Sequence, residues 1–205
     1  MMVNYAIQIK LQELAEQAAH SLENRPQIIA DAFRLAQSEN DETLLAFTIA
    51  DLSPYLENET LNEAHRLALK VNDPLYRGLA LISLAARSPN RENEWMKIIL
   101  KDALTTWLLI DSVAGQIDMG SSLLNLLAFT KNDDYGFAVE RFAKFVETMD
   151  DSSRRVHGLA LLSTHLQGEA KSNALQQAQH IAELIEDTAT RMEAFDTLAP
   201  YLSNS

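Results

Sequence analysis

Apolar residues recur along this chain at spacings of three and four, the signature of one buried face on an α-helix. Leu61, Ala64, Ala68 and Val71 are spaced 3, 4 and 3. The same spacing returns at Leu100, Ala103, Trp107 and Ile110, at Val139, Phe142, Val146 and Met149, and at Leu175, Ala178, Ala182 and Ile185. A shorter copy runs through Ile29, Ala32 and Ala36. Successive copies start 32, 39, 39 and 36 residues apart. Self-similarity at such a period predicts a helical repeat, and these segments are its B helices.

Each B helix meets similar punctuation: Asn40-Asp41, Asn72-Asp73, Asp111-Ser112, Asp150-Asp151 and Glu186-Asp187. A short polar side chain there can accept the free N–H groups of a following helix. Pro74, directly after Asp73, suits the first helical position. Counted from the caps Asp41, Asp73, Ser112, Asp151 and Asp187, position +11 is Leu52, Leu84, Leu123, Leu162 and Leu198. Position +7 is Thr48, Ala80, Met119, Gly158 and Ala194, mostly small, which permits close helix approach. Position +4 is Leu45, Arg77, Gln116, Arg155 and Arg191. Pro54-Tyr55-Leu56 returns as Pro200-Tyr201-Leu202 at the same offsets. These are the A helices.

Breaker-rich turns such as Asn24-Arg25-Pro26, Ser88-Pro89-Asn90 and Gln167-Gly168 separate A from B. No stretch alternates with period two, so no strand is expected. The pattern predicts about eleven helices, near 4–22, 26–38, 42–56, 59–71, 74–87, 91–110, 112–130, 134–149, 152–166, 169–185 and 188–203. The expected fold is all-α: a right-handed α-solenoid of about five and a half stacked helical hairpins, one domain over 1–205. Within it, 4–22 is an N-terminal capping helix, 26–187 the repeats and 188–203 a C-terminal capping helix.

Over residues 26–203 the chain resembles tetratricopeptide-like and HEAT-like α-solenoids. The likeness rests on paired helices and on the small residues Ala64, Ala68, Ala103, Ala178 and Ala182 of the B helices. The A helices lack the Trp and Leu-Gly of the tetratricopeptide consensus, whose period is about 34 residues. The resemblance implies protein or peptide binding on an extended surface.

Composition narrows the classes. The 205 residues are 47% hydrophobic, contain no cysteine and carry a net charge of −12. Disulfide scaffolds and Cys-based metal sites are excluded, and a reducing, cytoplasmic setting is expected. No apolar run approaches the ~20 residues of a membrane span. Residues 1–73 hold 5 basic against 12 acidic side chains. That balance speaks against nucleic acid and anionic membranes and allows a basic protein partner, although a net charge of this size also serves simply to keep a protein in solution.

Motifs for chemistry are missing. The six glycines, at 78, 115, 120, 136, 158 and 168, form neither a phosphate loop nor a dinucleotide-binding turn. His157 and His165 lie eight apart on one predicted helix, about 12 Å by helix rise, too far to share a metal. His165 could meet His180 with Glu169 or Glu183, but polar repeat positions explain them more simply. Asp133-Asp134 and Asp150-Asp151 lack the spacing of a calcium loop. The sequence assigns no catalytic residue, cofactor or metal.

Candidate contact residues are fewer. The helix near 91–110 holds both tryptophans. Trp107 is on the core register, whereas Trp95 with Arg91 suits an interaction surface or packing on a neighbouring helix. Arg77, Arg155 and Arg191 either form a row for acidic groups or tie the scaffold together. Tyr135, Phe137, Phe142 and Phe145 read as a core stripe. The expected function is a non-enzymatic scaffold or adaptor binding a protein or peptide. The alternative is a small acidic inhibitor, immunity- or antitoxin-like, masking a basic protein. A homodimer through the solenoid's end faces is compatible with either.

Overall fold

A computed structural model describes residues 5–87 and 94–203 of the chain. Among the described residues there are eleven α-helices, one short 3₁₀ turn and no strand. The chain divides into two compact units, Met1–Ile110 and Asp111–Ser205.

The first unit contains α1 (Tyr5–His20), α2 (Arg25–Ser38), α3 (Glu42–Leu52), α4 (Asn58–Ala68), α5 (Pro74–Arg87) and α6 (Glu94–Trp107). A 3₁₀ turn, Ser53–Tyr55, follows α3. Sequence neighbours pack in pairs, and α3 also packs on both α1 and α5. The second unit contains α7 (Val113–Phe129), α8 (Tyr135–Glu147), α9 (Ser152–Ser163), α10 (Gly168–Glu183) and α11 (Thr188–Leu202). There α9 packs on α7, α8, α10 and α11. In both units each helix meets mainly the next one and the one after.

The same junction recurs where a B helix hands over to an A helix. Val71, Ile110, Met149 and Ile185 lie just past the ends of α4, α6, α8 and α10 yet stay buried. Each donates its N–H three residues back, to Ala68, Trp107, Val146 and Ala182. That tightened last turn ends the helix while keeping the apolar side chain inward. Two residues later the next helix is capped, and α3 opens in the same way. Asp41 accepts the N–H of Leu44 at 3.1 Å, Ser112 that of Gly115 at 3.2 Å, Asp151 that of Arg154 at 2.8 Å and Asp187 that of Thr190 at 2.8 Å. Asp73 accepts those of Leu75 and Tyr76, at 2.8 and 3.3 Å. All five expected caps therefore satisfy helix N–H groups that would otherwise lack a partner.

The core follows the expected register. All five leucines at +11 and all five residues at +7 are buried. Thr48, the polar +7 residue, returns its hydroxyl to the Leu44 carbonyl at 2.7 Å. Of the B-helix register, Leu61 and Val139 are half-buried and the rest buried. Gly158 allows a close helix approach: a Cβ there would stand 2.8 Å from Cγ2 of Val146 on α8.

Several helix ends differ from expectation. The helix expected over 42–56 stops at Leu52 and passes into the 3₁₀ turn Ser53–Tyr55. The helix expected over 152–166 stops at Ser163, so His165 sits in the following turn and does not share a helix with His157.

Candidate functional site

An open groove of about 890 Å³ runs across α1, α3 and α5 of the first unit. Gln8 and Leu11 line it from α1, Leu44, Phe47 and Asp51 from α3, and Tyr76 from α5. Asp41, Glu42 and Asp73 close the end where α3 and α5 begin. The helix pitch explains this set. Positions +7 and +11 of α3 point into the core, so +3, +6 and +10 turn to the adjacent face.

The groove has an aromatic floor and a carboxylate rim. Phe47 remains 49% exposed, and its ring meets that of half-buried Tyr76 edge-on, centroids 6.3 Å apart at 63°. Four carboxylates line the groove, and among the described residues no lysine or arginine does. Three have local work. Asp41 and Asp73 cap helices. Glu42 accepts the backbone N–H of Asn72 at 2.8 Å and of Asp73 at 2.9 Å, and the side-chain amide of Asn72. These donors hold its carboxyl below the ordinary value, the Asp73 N–H contributing most. Asp51 has neither hydrogen-bond nor ion-pair partner among the described residues, and partial desolvation pushes its carboxyl up.

Other concavities differ in kind. In the second unit, a shallower pocket of about 260 Å³ mixes signs, with Asp118 and Glu193 beside Arg154 and His157. In the first, a pocket of about 410 Å³ beside Leu22 is internally compensated. There Arg25 donates from Nε to the Ala18 carbonyl at 2.8 Å, lies 3.6 Å from Glu57 and stacks over Tyr55.

The arginines and aromatics singled out from sequence have separate surroundings. Arg77 donates from Nε to the Val71 carbonyl at 2.7 Å and from Nη2 to that of Asn72 at 3.0 Å. Arg191 donates from Nη1 to the Ile185 carbonyl at 3.2 Å. Both reach back six residues to the end of the preceding B helix. The Nε–H of Arg155 is buried and has no partner among the described residues. Trp95 is half-buried, its ring edge-on to His65 at 6.0 Å. Arg91 lies outside the described residues. Trp107 and Phe142 are buried as core; Phe137 is 49% exposed.

Two histidine pairs carry no signal in the repeat pattern. His65 on α4 meets Asp102 on α6, Nε2 to Oδ2 2.8 Å. His165 meets the Tyr135 hydroxyl through Nδ1 at 3.1 Å. Burial lowers the His165 pKa and raises that of Tyr135. Among the described residues no group of three or more His, Asp or Glu is arranged to hold a metal ion. No described helix is long and apolar enough to cross a membrane.

No protein family model, no curated protein and no solved structure matches this chain. The groove's own geometry is therefore what bears on function.

Proposed function

We propose that this protein is a non-enzymatic protein–protein interaction module of the cytoplasm. Its helices form right-handed solenoid runs of stacked hairpins, about five and a half hairpins in all. The solenoid reading is supported by the recurring junctions and by packing between sequence neighbours within each unit. The observation that carries the functional reading is the groove across α1, α3 and α5, where exposed Phe47 and half-buried Tyr76 sit among carboxylates. Core residues fix the groove's walls, while Phe47 and Asp51 line it as exposed side chains. The cytoplasmic setting rests on the absence of cysteine.

A second reading is favoured by Asp51 and the acidic rim: an inhibitor that covers a basic face of another protein. Crosslinking and affinity capture with the full chain, at low and high salt, tests both. A stoichiometric protein partner is expected. One retained at high salt supports the scaffold, and one released by salt and inactivated while bound supports the inhibitor. Recovery of no protein partner at any salt overturns both.

A further inference from the structure

We propose that the groove across α1, α3 and α5 binds a short segment of a partner protein in which lysine or arginine residues flank a large apolar side chain. The inference rests on the interaction-module reading above and adds the chemistry of the partner.

The flanking charges follow from the rim. Asp41, Glu42, Asp51 and Asp73 all line the groove, and no lysine or arginine among the described residues lines it with them. Arg77 stands near enough to lower the pKa of Glu42, so the compensated end is that of Glu42 and the open charge is that of Asp51. Asp51 is the carboxylate with no partner of its own. A cationic side chain from outside supplies what the fold withholds.

The apolar anchor follows from the floor. Leu11, Leu44, Phe47 and Tyr76 line the groove beside the carboxylates. A side chain covering Phe47 buries surface that is now 49% exposed. Aromatic and arginine contacts are the kind that concentrate binding energy.

The spacing follows from α3. Asp41 and Asp51 are ten residues apart on one helix, about 15 Å by helix rise. An extended chain covers about 3.4 Å per residue, so the basic side chains stand about four to five residues apart. A second copy of this chain is a poor occupant, because its net charge of −12 repels the same rim.

The test uses the immobilised full-length protein and a random peptide display library, with Phe47→Ala and Asp51→Asn as counter-screens. Both substitutions alter exposed side chains, and unchanged circular dichroism melts confirm that the variants fold. Enriched peptides are expected to carry Lys or Arg on both sides of Leu, Phe or Trp. Their affinity should fall ten-fold or more on each variant, and should weaken as salt is raised. Enrichment without basic residues, equal binding to both variants, or no enrichment overturns the proposal. Spermine binding as tightly as the selected peptides also overturns it, in favour of a small polycation. Peptides that ignore the groove variants remove this inference and leave the interaction module standing; that reading falls only with the capture experiment.

Discussion

The guanidinium of Arg77 reaches back six residues to the backbone carbonyl of Val71, Nε to O 2.7 Å, and so closes the end of α4 from the first turn of α5. The Val71 N–H is already bound to the Ala68 carbonyl, so both backbone polar groups of Val71 have partners. Arg77→Met should cost about 1–3 kcal/mol, because it removes a charge-assisted bond to a carbonyl at a tight turn. Arg155→Met should cost less, because the Arg155 Nε–H is buried with nothing to bond. Urea unfolding midpoints of the two variants give the comparison. If Arg77→Met leaves the midpoint unchanged but weakens partner capture, the arginine serves the surface and not the junction.

Helix capping by Asp151 separates hydrogen bonding from charge. Its side chain accepts the Arg154 N–H at 2.8 Å and starts α9, the helix on which the rest of the second unit packs. Asp151→Ala should lose about 0.5–2 kcal/mol, whereas Asp151→Asn keeps an acceptor and most of the stability. Thermal melts followed by circular dichroism should rank wild type, Asn and Ala in that order.

What was legible in the sequence was short-range and constant. The five caps and the +7 and +11 positions repeat because each junction and each core contact asks for the same chemistry. Helix ends were less legible. Pro54-Tyr55-Leu56 and Pro200-Tyr201-Leu202 are the same tripeptide, yet the first leaves α3 for a 3₁₀ turn and the second stays in α11. The first is followed closely by α4, which begins at Asn58, so the backbone turns there. The groove is hard to read from sequence for the opposite reason. Its positions +6 and +10 vary freely, from Phe47 and Asp51 in α3 to Glu193 and Thr197 in α11. A comparison for sameness discards them, although their place beside the constant +7 and +11 residues marks them as surface.

Gly158 faces Val146 so closely that a methyl group there must displace it. Alanine in a helix interior normally gains about 1 kcal/mol over glycine. Here overpacking should outweigh that gain and destabilise by about 1–3 kcal/mol. Gly136, in the first turn of α8, has open space around the same added atom, so Gly136→Ala should be neutral or mildly stabilising. A combined Gly158→Ala, Val146→Ala variant should be less destabilised than the sum of its parts, since the shorter side chain relieves the clash. Additive losses would show that the α8–α9 contact yields elsewhere.

His165 makes the acid side of the stability profile specific. Its ring is partly buried beside Tyr135, and burial lowers its pKa from the ordinary 6.5. The unfolded chain therefore takes up a proton on this group before the folded protein does. The stabilising contribution is present in full above about pH 6.5 and is lost as the pH falls from there toward the folded value. Glu42 and Asp187 act in a lower window. Hydrogen bonds from Asp73 and from Thr190 lower their pKa values, so their contributions fade as the pH falls below the ordinary carboxylate range. Unfolding midpoints of wild type should thus decline in two stages on acidification. His165→Gln should flatten the first stage and leave the second, and Glu42→Gln should do the reverse. Proton NMR of the His165 ring through the same pH range should show its titration below 6.5. A ring that titrates at or above 6.5, or an acid profile unchanged in His165→Gln, would assign the first stage to another group.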